Sequence, residues 1–169
     1  MPPSARKRQE RENDHPASPE YRHLDEHGKW VGKFDPSLWY FEHRMLVRCE
    51  KCRKRAIAKT KAYDEEKQLW IVGCVCSYCA HVWAVRSKRP NLADLPLWLQ
   101  APCCGEKLWA LNEEHLAYLE MHLGARVRKR AHGQNSTIAA RLPRWMSAAK
   151  NRKAIMKGLS RLREILADS

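Results

Sequence analysis

Two cysteine pairs, Cys49-Glu-Lys-Cys52 and Cys76-Ser-Tyr-Cys79, decide the fold of this chain. Twenty-three residues separate the pairs. Two residues between paired cysteines let both sulfur atoms face one point, and two such turns supply the tetrahedron of thiolates that Zn²⁺ accepts. The spacing therefore predicts a four-thiolate site for one zinc ion, against the less favoured alternative of four buried free cysteines.

Cys74 is an alternative ligand to Cys76. The two lie two residues apart, so in a strand they face the same side. Cys76 is the preferred ligand because its two-residue spacing to Cys79 closes a tight turn. Four cations beside the first pair should help to keep the thiolates deprotonated: Lys51, Arg53, Lys54 and Arg55.

Apolar and β-branched residues flank both cysteine pairs. They predict strands over residues 45–48, 55–59, 68–72 and 81–86, with a polar turn at residues 64–67. This order of strands and cysteine turns is that of a zinc ribbon, and residues 45–86 resemble that family through Cys49, Cys52, Cys76 and Cys79. The resemblance implies a small antiparallel sheet held by one structural zinc, frequent in transcription and replication proteins that contact DNA, RNA or polymerase. Residues 95–130 also resemble parts of uncharacterised bacterial zinc-ribbon proteins, which implies no activity.

Residues 91–111 contain two apolar pieces around a Pro-Cys-Cys-Gly sequence, which predicts a hairpin with Cys103 and Cys104 at its tip. Two interpretations of these thiols stay open. One is a second zinc site, completed by a distant ligand such as His115. The other is a pair of semi-buried thiols, while a disulfide between these neighbours is disfavoured by strain.

Two helices are predicted in the C-terminal part. Asn112 caps the first, whose apolar stripe is Leu116, Leu119, Leu123 and Val127. The second begins near residues 142–145, and its stripe of Ile155, Leu159, Leu162 and Leu166 should pack on the first. The fold class is therefore α+β: a small antiparallel zinc-ribbon sheet followed by a basic helical region. We divide the chain into a disordered tail (residues 1–20), an aromatic wrap with the ribbon and hairpin (residues 21–111) and the helical region (residues 112–169).

The chain is strongly basic, with a formal net charge of +13 and a sequence pI of about 9.7. Such a charge indicates a polyanionic partner, most often nucleic acid, either DNA or RNA. The surplus lies mainly in the zinc region and the C-terminal part. The residues predicted to contact phosphate are Arg126, Arg128, Lys129, Arg130, Arg141, Arg144, Lys150, Arg152, Lys153, Lys157, Arg161 and Arg163.

These features favour a non-enzymatic nucleic-acid-binding protein. The alternative is an adaptor that docks on a transcription, replication or other macromolecular complex. An HNH-like nuclease ranks lowest: His81, Asn91 and His115 occur in a suggestive order, but both cysteine pairs precede His81 and no paired His or Asp-His precedes a ββα pattern. No apolar run could cross a membrane, no motif for a small-molecule substrate is evident, and the chain begins without a hydrophobic signal segment, so we expect a cytoplasmic protein.

Overall fold

The computed structural model describes residues 23–24, 30–31, 37–87, 95–124, 138 and 142–168. The predicted tail at residues 1–20 and most of the predicted aromatic wrap lie outside these residues. No helix in the described part of the chain combines the length and the apolar character that a membrane span requires.

An antiparallel sheet of four strands forms the first half of the described chain. The strands follow one another in sequence order and in space: β3 (Met45–Arg48), β4 (Arg55–Asp64), β5 (Leu69–Val75) and β6 (Val82–Ser87). Ahead of them lie a short strand pair, β1 (His23–Leu24) and β2 (Trp30–Val31), and a 3-10 helix (Leu38–His43). The predicted α+β class is confirmed, and β4 and β5 extend beyond their predicted ends.

The sheet has one buried and one open face. Along β4 and β5, buried Ala58, Val72 and Cys74 alternate with more exposed neighbours, as expected when one face of a strand packs on a core. A bulge between Thr60 and Ala62 shifts the β4–β5 register before the connecting turn.

Strand β3 is bonded along both sides. One side pairs with β4, and the other meets the segment around Leu97 through an antiparallel bridge to Val47. The Trp98 N–H donates to the Leu46 carbonyl at 2.9 Å, and the Leu46 N–H donates to the Leu111 carbonyl at 2.7 Å. These bonds attach the sheet to the C-terminal half.

A second hairpin joins β7 (Leu99–Cys103) to β8 (Glu106–Ala110). Its turn consists of Cys104 and Gly105, which have φ angles of +55° and +78°. Two left-handed residues in a two-residue loop are typical of a type I′ turn, the turn that matches the twist of paired strands. The predicted hairpin is therefore present, with Cys104 at its tip and Cys103 as the last residue of β7.

Three described helices complete the fold: α1 (Glu113–Gly124), α2 (Arg144–Ser147) and α3 (Arg152–Ala167). Asn112 caps α1, because its Oδ1 accepts a 2.8 Å hydrogen bond from the His115 N–H. The last helical region is not continuous. Ala148 has an extended backbone (ψ 127°), which separates α2 from a 3-10 turn (Ala149–Asn151) and from α3.

Helix α3 packs on both α1 and the β7–β8 hairpin. Its buried residues include Ile155, Leu159 and Leu162, three members of the predicted stripe. Gly158 allows the hairpin to approach closely, since a Cβ there would lie 2.8 Å from Leu108 Cδ2. One buried cluster runs from the sheet through the hairpin to the helices, so the described residues share a common core across the predicted boundary at residue 112.

Candidate metal centre and basic surfaces

The four predicted cysteines come together at one end of the four-stranded sheet. Their sulfur atoms all lie within 4.8 Å of one another. Cys49 and Cys79 Sγ are 3.7 Å apart, and Cys52 and Cys76 Sγ are 3.5 Å apart. Sulfurs placed tetrahedrally about 2.3 Å from a zinc ion lie roughly 3.8 Å from one another. The cluster therefore has the dimensions of a metal site and could hold a zinc ion.

Two backbone turns of the same form position these sulfurs. In the first, the Cys49 N–H donates to the Lys54 carbonyl at 2.8 Å. In the second, the Cys76 N–H donates to the His81 carbonyl at 2.9 Å. The residue after each second cysteine, Arg53 or Ala80, has a positive φ of 64° or 55°. The positive φ turns the chain back into the next strand. Because neither residue is a glycine, the sequence does not predict this backbone conformation.

The turns also influence thiol ionisation. Burial raises the pKa of Cys76, but the backbone N–H groups of Cys79 and Tyr78 and the thiols of Cys52 and Cys79 outweigh it and bring the pKa down to about 7. Burial also raises the pKa of Cys49, but hydrogen bonds from the backbone N–H groups of Cys52 and Lys51 and from the thiols of Cys79 and Cys52 outweigh it, so the pKa is lowered overall. Backbone amides that point at sulfur stabilise the thiolate form, which is the form that binds metal.

Cys52 behaves in the opposite way. A backbone hydrogen bond from Lys54 favours its thiolate, but burial and the three neighbouring thiols prevail and raise its pKa to about 12. Hydrogen bonds to the three neighbouring thiols favour the protonated form of Cys52. A divalent cation among the four sulfurs would instead favour the thiolate.

Charged and aromatic residues surround the cysteine turns. The predicted cations Lys51, Arg53 and Lys54 are exposed. Lys54 Nζ lies 4.8 Å from the ring centre of Tyr78.

The nearby His81 faces a carboxylate and an aromatic ring. Its Nε2 lies 2.8 Å from Glu50 Oε1, and its ring stacks on Trp83 at 5.2 Å. The histidine of the low-ranked nuclease interpretation is thus held in a surface pair beside the cysteine cluster.

Cys74, the alternative ligand, lies outside the cluster. It is fully buried on the core face of β5, where burial raises the pKa of its thiol to about 11. The structure therefore brings together Cys76, rather than Cys74, with the other three cysteines.

The residues of the predicted second site have separate surroundings. Cys103 is buried, and its sulfur lies 3.5 Å from the position of a Cβ on Gly158, whereas Cys104 is exposed in the hairpin turn. Their sulfur atoms are 3.8 Å apart. Burial, together with Cys104, raises the pKa of Cys103 to about 11.

His115, the third residue of that second site, is part of the core. Its ring stacks on Phe41 at 4.9 Å, and its Nδ1 accepts a hydrogen bond from the Leu111 N–H at 3.2 Å. Burial lowers its pKa to about 3. Within residues 37–87, 95–124 and 142–168, the group Cys49, Cys52, Cys76 and Cys79 is the one set of three or more ligand atoms close enough to share a metal. A second metal site stays a prediction that these residues do not complete.

The predicted phosphate-contacting residues divide into three groups. Arg126, Arg128, Lys129, Arg130 and Arg141 lie outside the described residues. Five others are exposed: Arg144, Lys150, Lys153, Lys157 and Arg161. Arg152 and Arg163 are half-buried and have internal partners. Arg152 Nη2 donates to the Gly124 carbonyl at the end of α1, and Arg163 Nη2 donates to Glu120 Oε2 at 2.5 Å.

Four of the exposed cations recur at helical spacing at the start of and along α3: Lys150, Lys153, Lys157 and Arg161. They are three, four and four residues apart, so they follow one side of the helix, opposite the buried stripe. Residues 121–163 contain twelve Lys/Arg and no Asp/Glu. We call these four residues the α3 row.

The structure also places cations on the open face of the four-stranded sheet, which sequence reasoning missed. Cross-strand pairing aligns Arg48 with Arg55, and the same parity places Lys59 and Arg86 on that face. The carbon chain of Lys61 lies over Gly73 there. A period of two in the charges of β4 is the signal that could have revealed this face.

The chain matches no protein-family model, and comparison with curated proteins and with solved structures likewise finds no match. The four clustered cysteines and the basic surfaces are therefore the features of the chain that point to a function.

Proposed function

We propose that the chain is a non-enzymatic zinc-ribbon protein that binds nucleic acid through its C-terminal helix. The α3 row is the observation that carries the proposal. Three of its exposed cations lie on one side of α3, and the fourth, Lys150, lies in the 3-10 turn just before the helix. Residues 121–163 contain no carboxylate, and the exposed Glu164 follows one turn after Arg161 on the same side. Cations fixed in this way contact phosphate without reading sequence.

The metal has a supporting role. A zinc ion held by Cys49, Cys52, Cys76 and Cys79 would fix one end of the sheet, where Cys49 and Cys76 are part of the buried core. Structural zinc sites of this type stabilise small domains and keep no coordination position open for a substrate. This supports a scaffold rather than a reaction centre.

Binding should be strongly salt-dependent. Each phosphate contact releases a counterion, so four contacts give a log–log slope of about −3 to −4 for duplex DNA. Affinity for a mixed-sequence duplex and for a single strand of equal length, measured by fluorescence anisotropy across several salt concentrations, tests this. A flat salt dependence would contradict the proposal.

Charge-reversal variants test which cations contact the nucleic acid. The double variant Lys153→Glu, Lys157→Glu should reduce the magnitude of the salt slope by about two and weaken binding at least roughly tenfold. Its matched control, Lys59→Glu, Arg86→Glu, makes the same change of net charge on the four-stranded sheet. Equal losses in both variants would mean that overall charge, rather than the α3 row, governs binding.

A further inference from the structure

The open face of the four-stranded sheet has an apolar line across it. The cross-strand register joins Leu46 to Ile57, Ile57 to Val75, and Val75 to Val82. Exposure increases along this line, from 3% for Leu46 to 49% for Val75 and 67% for Val82. The apolar line is thus covered near β3 and open toward β6.

The large exposed apolar side chains of the described residues gather here. They are Val75, Tyr78 and Val82, and all three lie at or beside the second cysteine turn. Single exposed valines are ordinary, but a group in one place marks an interaction surface. Strand β6, which carries Val82, is bonded to β5 alone within the described part of the sheet.

Cations flank the apolar line on both sides. Arg48 and Arg55 form the neighbouring row toward the cysteine turns. Lys59, Lys61 and Arg86 lie on the other side, next to the small residues Gly73 and Ala84. Within the strands β3 to β6 the one carboxylate is Asp64, the last residue of β4, while the connecting turns carry Glu50, Glu65 and Glu66. The open face is therefore apolar at its centre and positive at its edges.

The side chains on this face favour one of two negatively charged partners, an acidic peptide rather than single-stranded nucleic acid. Surfaces that hold single-stranded nucleic acid stack bases on aromatic rings, but the four residues of the apolar line are aliphatic. Two aromatic rings beside the face each have a cation over them: Lys54 Nζ lies 4.8 Å from the ring centre of Tyr78, and Arg48 Cζ lies 4.9 Å from that of Trp98. Aliphatic side chains bordered by cations instead complement a peptide whose aliphatic residues are bordered by carboxylates.

We propose that the open face of the sheet binds an acidic peptide segment of a partner protein. The aliphatic side chains of the segment cover Val75 and Val82, and its carboxylates pair with Arg55 on one side and with Lys59 and Arg86 on the other. This inference concerns another surface than the α3 row and does not depend on nucleic-acid binding.

The test uses the purified full chain and fluorescent peptides of defined composition. The probe has two central leucines flanked on each side by two glutamates. One control peptide replaces the leucines with serine, and the other replaces the glutamates with lysine. Saturable binding of the probe, at least about tenfold tighter than that of either control, is expected. No saturation by about 1 mM probe, or equal binding of the lysine peptide, would overturn the proposal.

Variants then locate the peptide. Val82→Asp should weaken binding of the probe at least about tenfold, since it places a carboxylate at the exposed end of the apolar line. The double variant Val75→Thr, Val82→Thr keeps β-branched side chains for the strands and should weaken it by a smaller factor. Thermal melts establish that each variant is folded.

The two charge-reversal variants separate this surface from the α3 row. Lys59→Glu, Arg86→Glu should weaken the peptide and spare the oligonucleotide, whereas Lys153→Glu, Lys157→Glu should do the reverse. If Val82→Asp instead abolishes binding of a single-stranded oligonucleotide and leaves the peptide unaffected, the face belongs to nucleic acid and the proposal is wrong.

Discussion

Cys49 and Cys79 place their sulfur atoms 3.7 Å apart although they lie thirty positions apart in the sequence. The contact joins the turn that enters β4 to the turn that enters β6, so it closes the open end of the sheet.

Loss of one cysteine of the cluster should unfold the sheet. A structural zinc site contributes on the order of 10–16 kcal/mol in small zinc-binding peptides, which is as large as the whole stability of a typical domain, about 5–15 kcal/mol. Cys49→Ser is expected to abolish the cooperative thermal transition and the bound zinc, measured by elemental analysis. Treatment of the unaltered protein with a chelator should give the same result.

Cys104→Ser is the matched control for that change. Its thiol is exposed in the hairpin turn and stands outside the cluster of four. The variant should keep its melting temperature and its metal. A Cys49→Ser protein that melts like the Cys104→Ser protein would show that the four cysteines do not hold a structural metal.

His115 should make the protein sensitive to acid. Its pKa is lowered from 6.5 to about 3 by burial, so between these pH values the unfolded chain takes up a proton that the folded chain does not. Stability is unaffected above pH 6.5 and falls by up to about 1.4 kcal/mol per pH unit below it. Urea unfolding of His115→Gln, which cannot titrate there, should show a shallower loss between pH 6.5 and 4.5.

Metal release at low pH affects both proteins in that comparison. The difference between their slopes of stability against pH therefore isolates the contribution of His115 protonation. Identical slopes would mean that His115 is protonated in the folded state.

Replacing the side-chain amide of Asn112 with a carboxylate should lower the stability of the fold. Its Oδ1 caps α1, while its Nδ2 donates to the carbonyls of Phe41 and Arg44, each at 2.9 Å. Asn112→Asp keeps the cap but turns a carboxylate oxygen toward two carbonyl oxygens. It should therefore destabilise the fold at least as much as Asn112→Ala, by about 2–4 kcal/mol in urea unfolding. An Asp variant of wild-type stability would show that the cap alone matters.

Gly158 should tolerate no larger residue. A Cβ at this position would lie 2.8 Å from Cδ2 of the buried Leu108. Gly158→Val improves the intrinsic helix propensity slightly but overfills the contact between α3 and the hairpin, so a net loss of about 1–3 kcal/mol is expected. Ala154→Val, on the exposed side of the same helix, is the control and should cost only the helix propensity of valine, roughly 0.6 kcal/mol.

Local patterns allowed much of this structure to be predicted. The cysteine spacing, the strands beside it and the Cys103-Cys104-Gly105 hairpin all depend on residues close in sequence. Two features depend on distant contacts. The amide of Asn112 reaches carbonyls 71 and 68 residues away, and the cations of the open sheet face align through cross-strand register. The contacts of Asn112 leave no sign in one stretch of sequence, and the alternating charges of β4 mark the cations of that strand but not their alignment with Arg48 and Arg86.

The same limit applies to the basic helix, where charge alone could not tell a surface cation from a structural one. Arg163 lies in the last half of α3 and bonds Glu120 of α1 through both Nε and Nη2, at 3.2 Å and 2.5 Å. Glu120 raises the pKa of the Arg163 guanidinium, through a hydrogen bond that outweighs partial burial. Arg163 is thus engaged in joining two helices, whereas Lys157 is exposed on α3.

Removing the charge of Arg163 should therefore affect stability, whereas removing the charge of Lys157 should affect binding. Arg163→Gln should lower stability by up to about 1 kcal/mol, the range of a partly exposed ion pair screened by solvent, and should change oligonucleotide affinity little. Lys157→Gln should leave the urea midpoint unchanged and reduce the magnitude of the salt slope of binding by about one. Both variants lose one positive charge, so net charge cannot explain a difference between them. If Arg163→Gln weakened binding as much as Lys157→Gln without loss of stability, the guanidinium would have to leave Glu120 to reach phosphate.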